Sequence, residues 1–112
     1  MIGDAAFSGC TSLTSIVIPS GVTNIGSGAF EDCDSLTEII VDKNNTSYSS
    51  ENGILFNKER TVLVQYPAGK NDKSYSIPST VTEIDGYAFY KCTSLTSIEI
   101  PDGVTNIGYD VV

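Results

Sequence analysis

One block of sequence occurs three times within these 112 residues, and this self-similarity limits the fold more than any other feature. Ile2-Gly3-Asp4-Ala5-Ala6-Phe7-Ser8-Gly9-Cys10-Thr11-Ser12-Leu13 returns at Ile25 as Ile-Gly-Ser-Gly-Ala-Phe-Glu-Asp-Cys-Asp-Ser-Leu, and at Ile84 as Ile-Asp-Gly-Tyr-Ala-Phe-Tyr-Lys-Cys-Thr-Ser-Leu. A fourth copy opens at Ile107-Gly108. The steps from Ile2 to Ile25 and from Ile84 to Ile107 are both 23 residues, whereas Ile25 to Ile84 is 59, one unit of 23 and one of 36. A unit this short cannot bury its own apolar side, and about three or more must stack to make a continuous core. The chain therefore reads as a repeat solenoid forming one domain, residues 1–112. Its units run about 2–24, 25–83 with the long variant, 84–106, and a truncated one from 107, as expected of a fragment of a longer array.

Within each unit Leu13, Ile16 and Ile18 are matched by Leu36, Ile39 and Val41 and by Leu95, Ile98 and Ile100. Spacing of two between β-branched residues predicts a short strand with alternate side chains turned into a core. Pro19 and Pro101 end it, because proline cannot donate to a ladder. Val22, Ile25, Ala29 and Phe30 recur in step and are expected to point inward. In the long unit two apolar runs, Gly53–Phe56 and Thr61–Tyr66, flank the polar Asn57-Lys58-Glu59-Arg60 and predict one inserted β-hairpin. The position equivalent to Leu13 falls on Asp72, so a hairpin residue, Leu63 or Tyr66, is expected to fill that corner.

The repeated I-G-x-x-A-F-x-x-C-x-S-L pattern, with the strand block that follows it, resembles the BspA-like, treponemal-type leucine-rich repeats of bacterial cell-surface proteins. The resemblance covers almost the whole chain. It implies a right-handed coil with a short parallel β-sheet on its concave side and few or short helical or 3-10 turns on its convex side. It also implies a non-catalytic interaction module of a cell-surface or secreted protein, acting in adhesion or in protein or glycan binding, with a host surface among the partners. The alternative is a structural spacer in a long array with no ligand of its own.

Charge and composition narrow the partners. Fourteen acidic residues against six scattered basic ones give a formal charge of −8, which repels nucleic acid and anionic membrane. The aliphatic runs are triplets such as Ile16-Val17-Ile18, far short of the roughly 20 residues that cross a bilayer. The start, Met1-Ile2-Gly3-Asp4, has neither the basic nor the apolar segment of a secretory signal. An extracellular location thus comes from the resemblance alone. Neither end carries a polar cap, which predicts self-association through stacked apolar ends.

Chemistry has little to work with. There is no histidine, the commonest general base and metal ligand, and no catalytic, cofactor or metal site is expected. Cys10, Cys33 and Cys92 share one repeat position and predict a ladder of small buried side chains, although stacked coils would bring Cys10 and Cys33 within disulfide reach. Asp42-Lys43-Asn44 fails as a calcium loop, since the required glycine is Ser47 and the required glutamate is Gly53. Asn44-Asn45-Thr46 and Asn45-Thr46-Ser47 match the glycosylation acceptor pattern, but asparagine-rich turns arise for conformational reasons too.

Partner binding is left to the outward strand positions and the hairpin. Alternation places Ser15, Val17, Glu38, Ile40, Ser74, Ser76, Ser97 and Glu99 on the concave sheet face. The hairpin offers Phe56, Lys58, Arg60 and Tyr66 as a second set of contacts, unless its aromatic rings serve the core.

Overall fold

The computed structural model describes residues 12–26, 29–30, 33–86, 88–89 and 92–107. Along them run nine short strands: β1 Ser15–Ile18, β2 Glu38–Val41, β3 Tyr48–Glu51, β4 Ile54–Asn57, β5 Val62–Gln65, β6 Ser74–Ser76, β7 Glu83–Ile84, β8 Ser97–Glu99 and β9 Asn106–Ile107. Among the described residues there is no α- or 3-10 helix. The corners are single hydrogen-bonded turns. Cys33 N–H donates to the Phe30 carbonyl and Leu36 N–H to that of Cys33, and Cys92 and Leu95 repeat the pair. The helical turns expected on the convex side are thus isolated turns in this part of the chain.

The repeat sets parallel pairing at two positions of the unit. At the first, β1 pairs with β2 and β6 with β8, so that Ile16 lies beside Ile39 and Tyr75 beside Ile98. The second joins β5, β7 and β9 and stacks Leu63, Ile84 and Ile107. Leu63 therefore does the work of the unit's leading isoleucine in the long repeat. The inward positions are filled as the spacing predicts: Ile18, Val22, Ala29, Phe30, Leu36, Ile39 and Val41 are buried, as are Val81, Ile84, Ala88 and Phe89. Ile100 departs from the pattern at 49% exposed, because no strand among the described residues packs over it as β2 packs over Ile18.

The 13 extra residues make more than the one hairpin expected. β3 pairs antiparallel with β4, and β4 with β5, giving a three-stranded meander. The first turn is Asn52-Gly53, both with positive φ (54° and 81°), the pairing that matches the twist of a two-residue hairpin. A Cβ at Gly53 would stand 3.2 Å from the Glu38 Cα, so glycine also allows the turn to lie against β2. In the second turn the Asn57 side chain accepts the N–H groups of Thr61 and Val62, both at 2.9 Å, and Arg60 takes the left-handed conformation (φ 59°).

β4 explains how the meander fits inside a coil. Alternate side chains of a strand face opposite ways. Leu55 enters a core with Ile18, Phe30, Leu36 and Ile39, whereas Ile54 and Phe56 enter a second one with Leu63, Tyr66, Ile77 and Phe89. The unbroken run Ile54-Leu55-Phe56 is apolar because the strand is a wall between two cores and is wet on neither side. Each such side chain, fully buried, contributes roughly 1.5–3 kcal/mol.

Two residues join the insertion to its neighbours. Asn45 stands where other units carry Val22, Val81 and Val104, and it is buried. Its Nδ2 donates to the carbonyls of Pro19 and Val22, both at 2.9 Å, and its Oδ1 accepts the N–H groups of Ser47 (2.7 Å) and Tyr48 (2.8 Å). With its amide nitrogen committed to two carbonyls, Asn45 cannot carry a glycan in this fold. Tyr66 fills the corner left by Asp72: its ring lies 5.2 Å from that of Tyr75 and 5.4 Å from that of Phe89, with its hydroxyl 3.4 Å from Asp72 Oδ2.

Candidate functional site

The eight outward strand residues are all exposed, but they do not form one strip. Ser15, Val17, Glu38 and Ile40 lie on the β1–β2 sheet, and Ser74, Ser76, Ser97 and Glu99 on the β6–β8 sheet, with no ladder between the two. The cause is the Asn52-Gly53 turn. Ile39 N–H donates to the Gly53 carbonyl at 2.9 Å and Val41 N–H to Ser50 Oγ at 3.0 Å, so the meander occupies the edge of β2 that would otherwise pair with β6.

Val17 and Ile40 stand side by side in register, 61% and 41% exposed. The repeat places serine and glutamate at the same position in the other sheet, Ser76 and Glu99, so neither strand geometry nor packing demands an aliphatic residue there. Thr14 and Thr37, and Lys73 and Thr96, edge the two sheets; Thr37 and Thr96 turn their hydroxyls back onto the carbonyls of Thr14 and Lys73.

The hairpin contacts need correction. Phe56 and Tyr66 are fully buried and cannot touch a partner. Both belong to the second core, Phe56 because it points from the β4 wall and Tyr66 because it fills the Asp72 corner. Lys58 is exposed on the turn, and the Arg60 guanidinium is paired with Glu51 at 2.9 Å.

Between the sheets opens a cleft of about 520 Å³, lined by Glu38, Asn52, Gly53, Ile54, Lys70, Asp72 and Tyr75. The Lys70 ammonium is held by the Asn52 carbonyl at 3.0 Å and by Asp72 at 3.7 Å. Burial, then the Glu51 carboxylate, pushes the Tyr75 hydroxyl up to about 12, so it stays a neutral donor. Sequence reasoning missed this cleft, and its signal was the Asn52-Gly53 dipeptide. A second, apolar groove of about 280 Å³ is lined by Ile84, Phe89, Cys92, Leu95, Ile98, Ile100 and Ile107, among others.

Among the described residues no group of three or more His, Cys, Asp or Glu is placed to hold a metal ion. Cys33 is buried, and burial pushes the Cys92 thiol up to about 12, which suppresses the nucleophilic thiolate. Cys10 and its pairing with Cys33 lie outside the described residues. The Asp85 carboxyl is raised by its own burial and by Glu83. No helix among the described residues is long and apolar enough to cross a membrane.

Comparison with known proteins agrees with this architecture. The profile of the BspA type leucine rich repeat region matches residues 1–58 and 68–112 in six copies, leaving out a stretch that spans β5. A leucine-rich repeat protein of Eubacterium ventriosum is 41% identical with a TM-score of 0.85, over 88% of this chain and 26% of its own. The pneumococcal vaccine antigen PcpA is 35% identical with a TM-score of 0.84, over 89% of this chain and 26% of its own. A leucine rich cell surface protein of Faecalibacterium prausnitzii is 37% identical with a TM-score of 0.85, over 96% of this chain and 28% of its own. The chain thus spans only about a quarter of the length of these solved relatives. No curated protein matches it. By its repeated pattern, its ladders and these likenesses, the chain belongs to the BspA-type leucine-rich-repeat family.

Proposed function

We propose that this chain is a non-catalytic interaction segment of a longer, right-handed repeat array on a bacterial cell surface or in its secretions, binding a protein or glycan through the β1–β2 sheet face. The observation that carries the reading is the Val17–Ile40 pair, two neighbouring aliphatic residues held in water where the same repeat position elsewhere is serine or glutamate. Exposed apolar side chains on a rigid sheet supply contact area at little ordering cost. The named relatives support the location, since one is a cell surface protein and another a vaccine antigen. The test is an array of extracellular host proteins and glycans probed with the labelled chain. Saturable binding to at least one member is expected, and no binding to any would favour the spacer reading.

A second observation favours self-association as well. The apolar groove leaves Ile100 49% and Ile107 53% exposed, and either the next coil of a longer array or, for this segment alone, a second copy laid against it would cover both. Light scattering across a concentration series should show a rising mass, lowered by Ile100→Ser with Ile107→Ser. A constant monomer mass would contradict this.

A further inference from the structure

In the β6–β8 ladder Ser97 N–H donates to the Lys73 carbonyl at 3.2 Å and Ile77 N–H to that of Glu99 at 3.0 Å. Main-chain groups alternate sides along a strand. Lys73, Tyr75 and Ile77 therefore face β8, and the N–H and C=O groups of Ser74 and Ser76 face the other way, away from β8; their chain neighbours Asp72 and Tyr75 line the 520 Å³ cleft. Among the described residues no strand pairs with that edge. β2, which would pair with it in a plain array, has its own edge closed by Gly53 and Ser50. The insertion thus seals one strand and leaves its neighbour open. A cleft of this volume lies within the roughly 300–1,000 Å³ range of ligand sites.

Charge selects the occupant. Lys70, the cation in the cleft wall, is tied to Asn52 and Asp72, whereas the exposed Glu38 carboxylate makes no ion pair among the described residues. The field of the whole chain, at −8, has the same sign.

We propose that the open edge of β6 and the cleft beside it receive an extended, lysine- or arginine-bearing peptide segment of a partner protein, which joins the sheet as an added strand. Main-chain bonds to Ser74 and Ser76 give affinity, as in other strand additions, and Glu38 and Asp72 select a basic side chain. This site borders the β1–β2 face through Glu38 but uses neither Val17 nor Ile40, and it stands without them.

The test uses a nine-residue capped peptide of alternating threonine and valine with a central lysine, titrated into the protein while backbone amide NMR signals are followed. Two further versions carry N-methyl groups on the odd or on the even amides. Saturable shifts are expected at residues 72–76, abolished by one methylated version and kept by the other. A central glutamate should weaken binding by about tenfold, a change of about 1.4 kcal/mol. Ser76→Pro removes one N–H on the open edge of β6 without touching a β8 bond and should also abolish it, while Val17→Ser should not. The two methylated peptides keep the test valid even where the proline variant folds poorly. Equal binding of both methylated versions, shifts confined to the β1–β2 face, or no saturable shift with any peptide would overturn the proposal.

Discussion

Replacing Asn45 with alanine is expected to lower the stability of the fold by about 3 kcal/mol, read as a shift in the midpoint of urea unfolding at unchanged slope. Four hydrogen bonds end on this buried side chain, two on each side. Its amide nitrogen joins the coil below, through Pro19 and Val22, and its oxygen starts β3 by holding Ser47 and Tyr48. Leaving buried polar partners unpaired costs more than the bonds themselves contribute. Asn45→Val makes the point sharper, since it restores the residue found at Val22 and Val81 and keeps the apolar fit. It should still destabilise to a similar degree, because valine cannot hold the entrance to the meander. A loss under about 0.5 kcal/mol, the range of ordinary surface substitutions, would show that the coil tolerates either residue and that the account of the junction is wrong.

Tyr66→Ala carries the other large effect, about 4 kcal/mol, from deleting an aromatic side chain at the centre of the second core. Tyr75 and Phe89 both rest on the ring, with centroids 5.2 and 5.4 Å away, and lose that packing when it is removed. Tyr66→Phe keeps the ring and loses only a long hydroxyl contact with Asp72, so it should cost no more than about 1 kcal/mol. Burial raises the Tyr66 hydroxyl above its ordinary value, so it remains protonated at neutral pH and no charge is lost in that substitution. Equal losses for the two variants would assign the stability to the polar contact instead of the ring.

The sequence shows most of the coil and little of the insertion, for physical reasons. Ile18, Val22, Phe30, Leu36 and their equivalents could be placed because a repeated position meets a repeated environment. Asn45 could not be placed by the same logic, since it occurs once and answers to a local surrounding that no other unit has, whereas the missing leucine at Asp72 leaves a place that points to Leu63 or Tyr66. The exchange of Pro19 and Val22 for Asp42 and Asn45 did mark where the chain leaves the plain pattern. Phe56 illustrates a different failure. An aromatic residue in an inserted hairpin reads as a partner contact until β4 is found to be a wall with a core on either side. The sheet face was legible residue by residue, because alternation decides which side chains point outward. Its continuity was not, because that depends on where the Asn52-Gly53 turn comes to rest against β2.

The most direct measurement takes a protein or glycan bound in the array and compares its affinity for three forms: the unaltered chain, Val17→Ser with Ile40→Ser, and Lys58→Ala on the exposed turn. Serine is the residue the repeat itself carries at Ser76, so the double variant should melt like the original. Binding at least about tenfold weaker for the double variant, with Lys58→Ala unchanged, is the predicted result. Full affinity in the double variant together with a loss in Lys58→Ala would place the contact on the hairpin turn and contradict the reading of the sheet face.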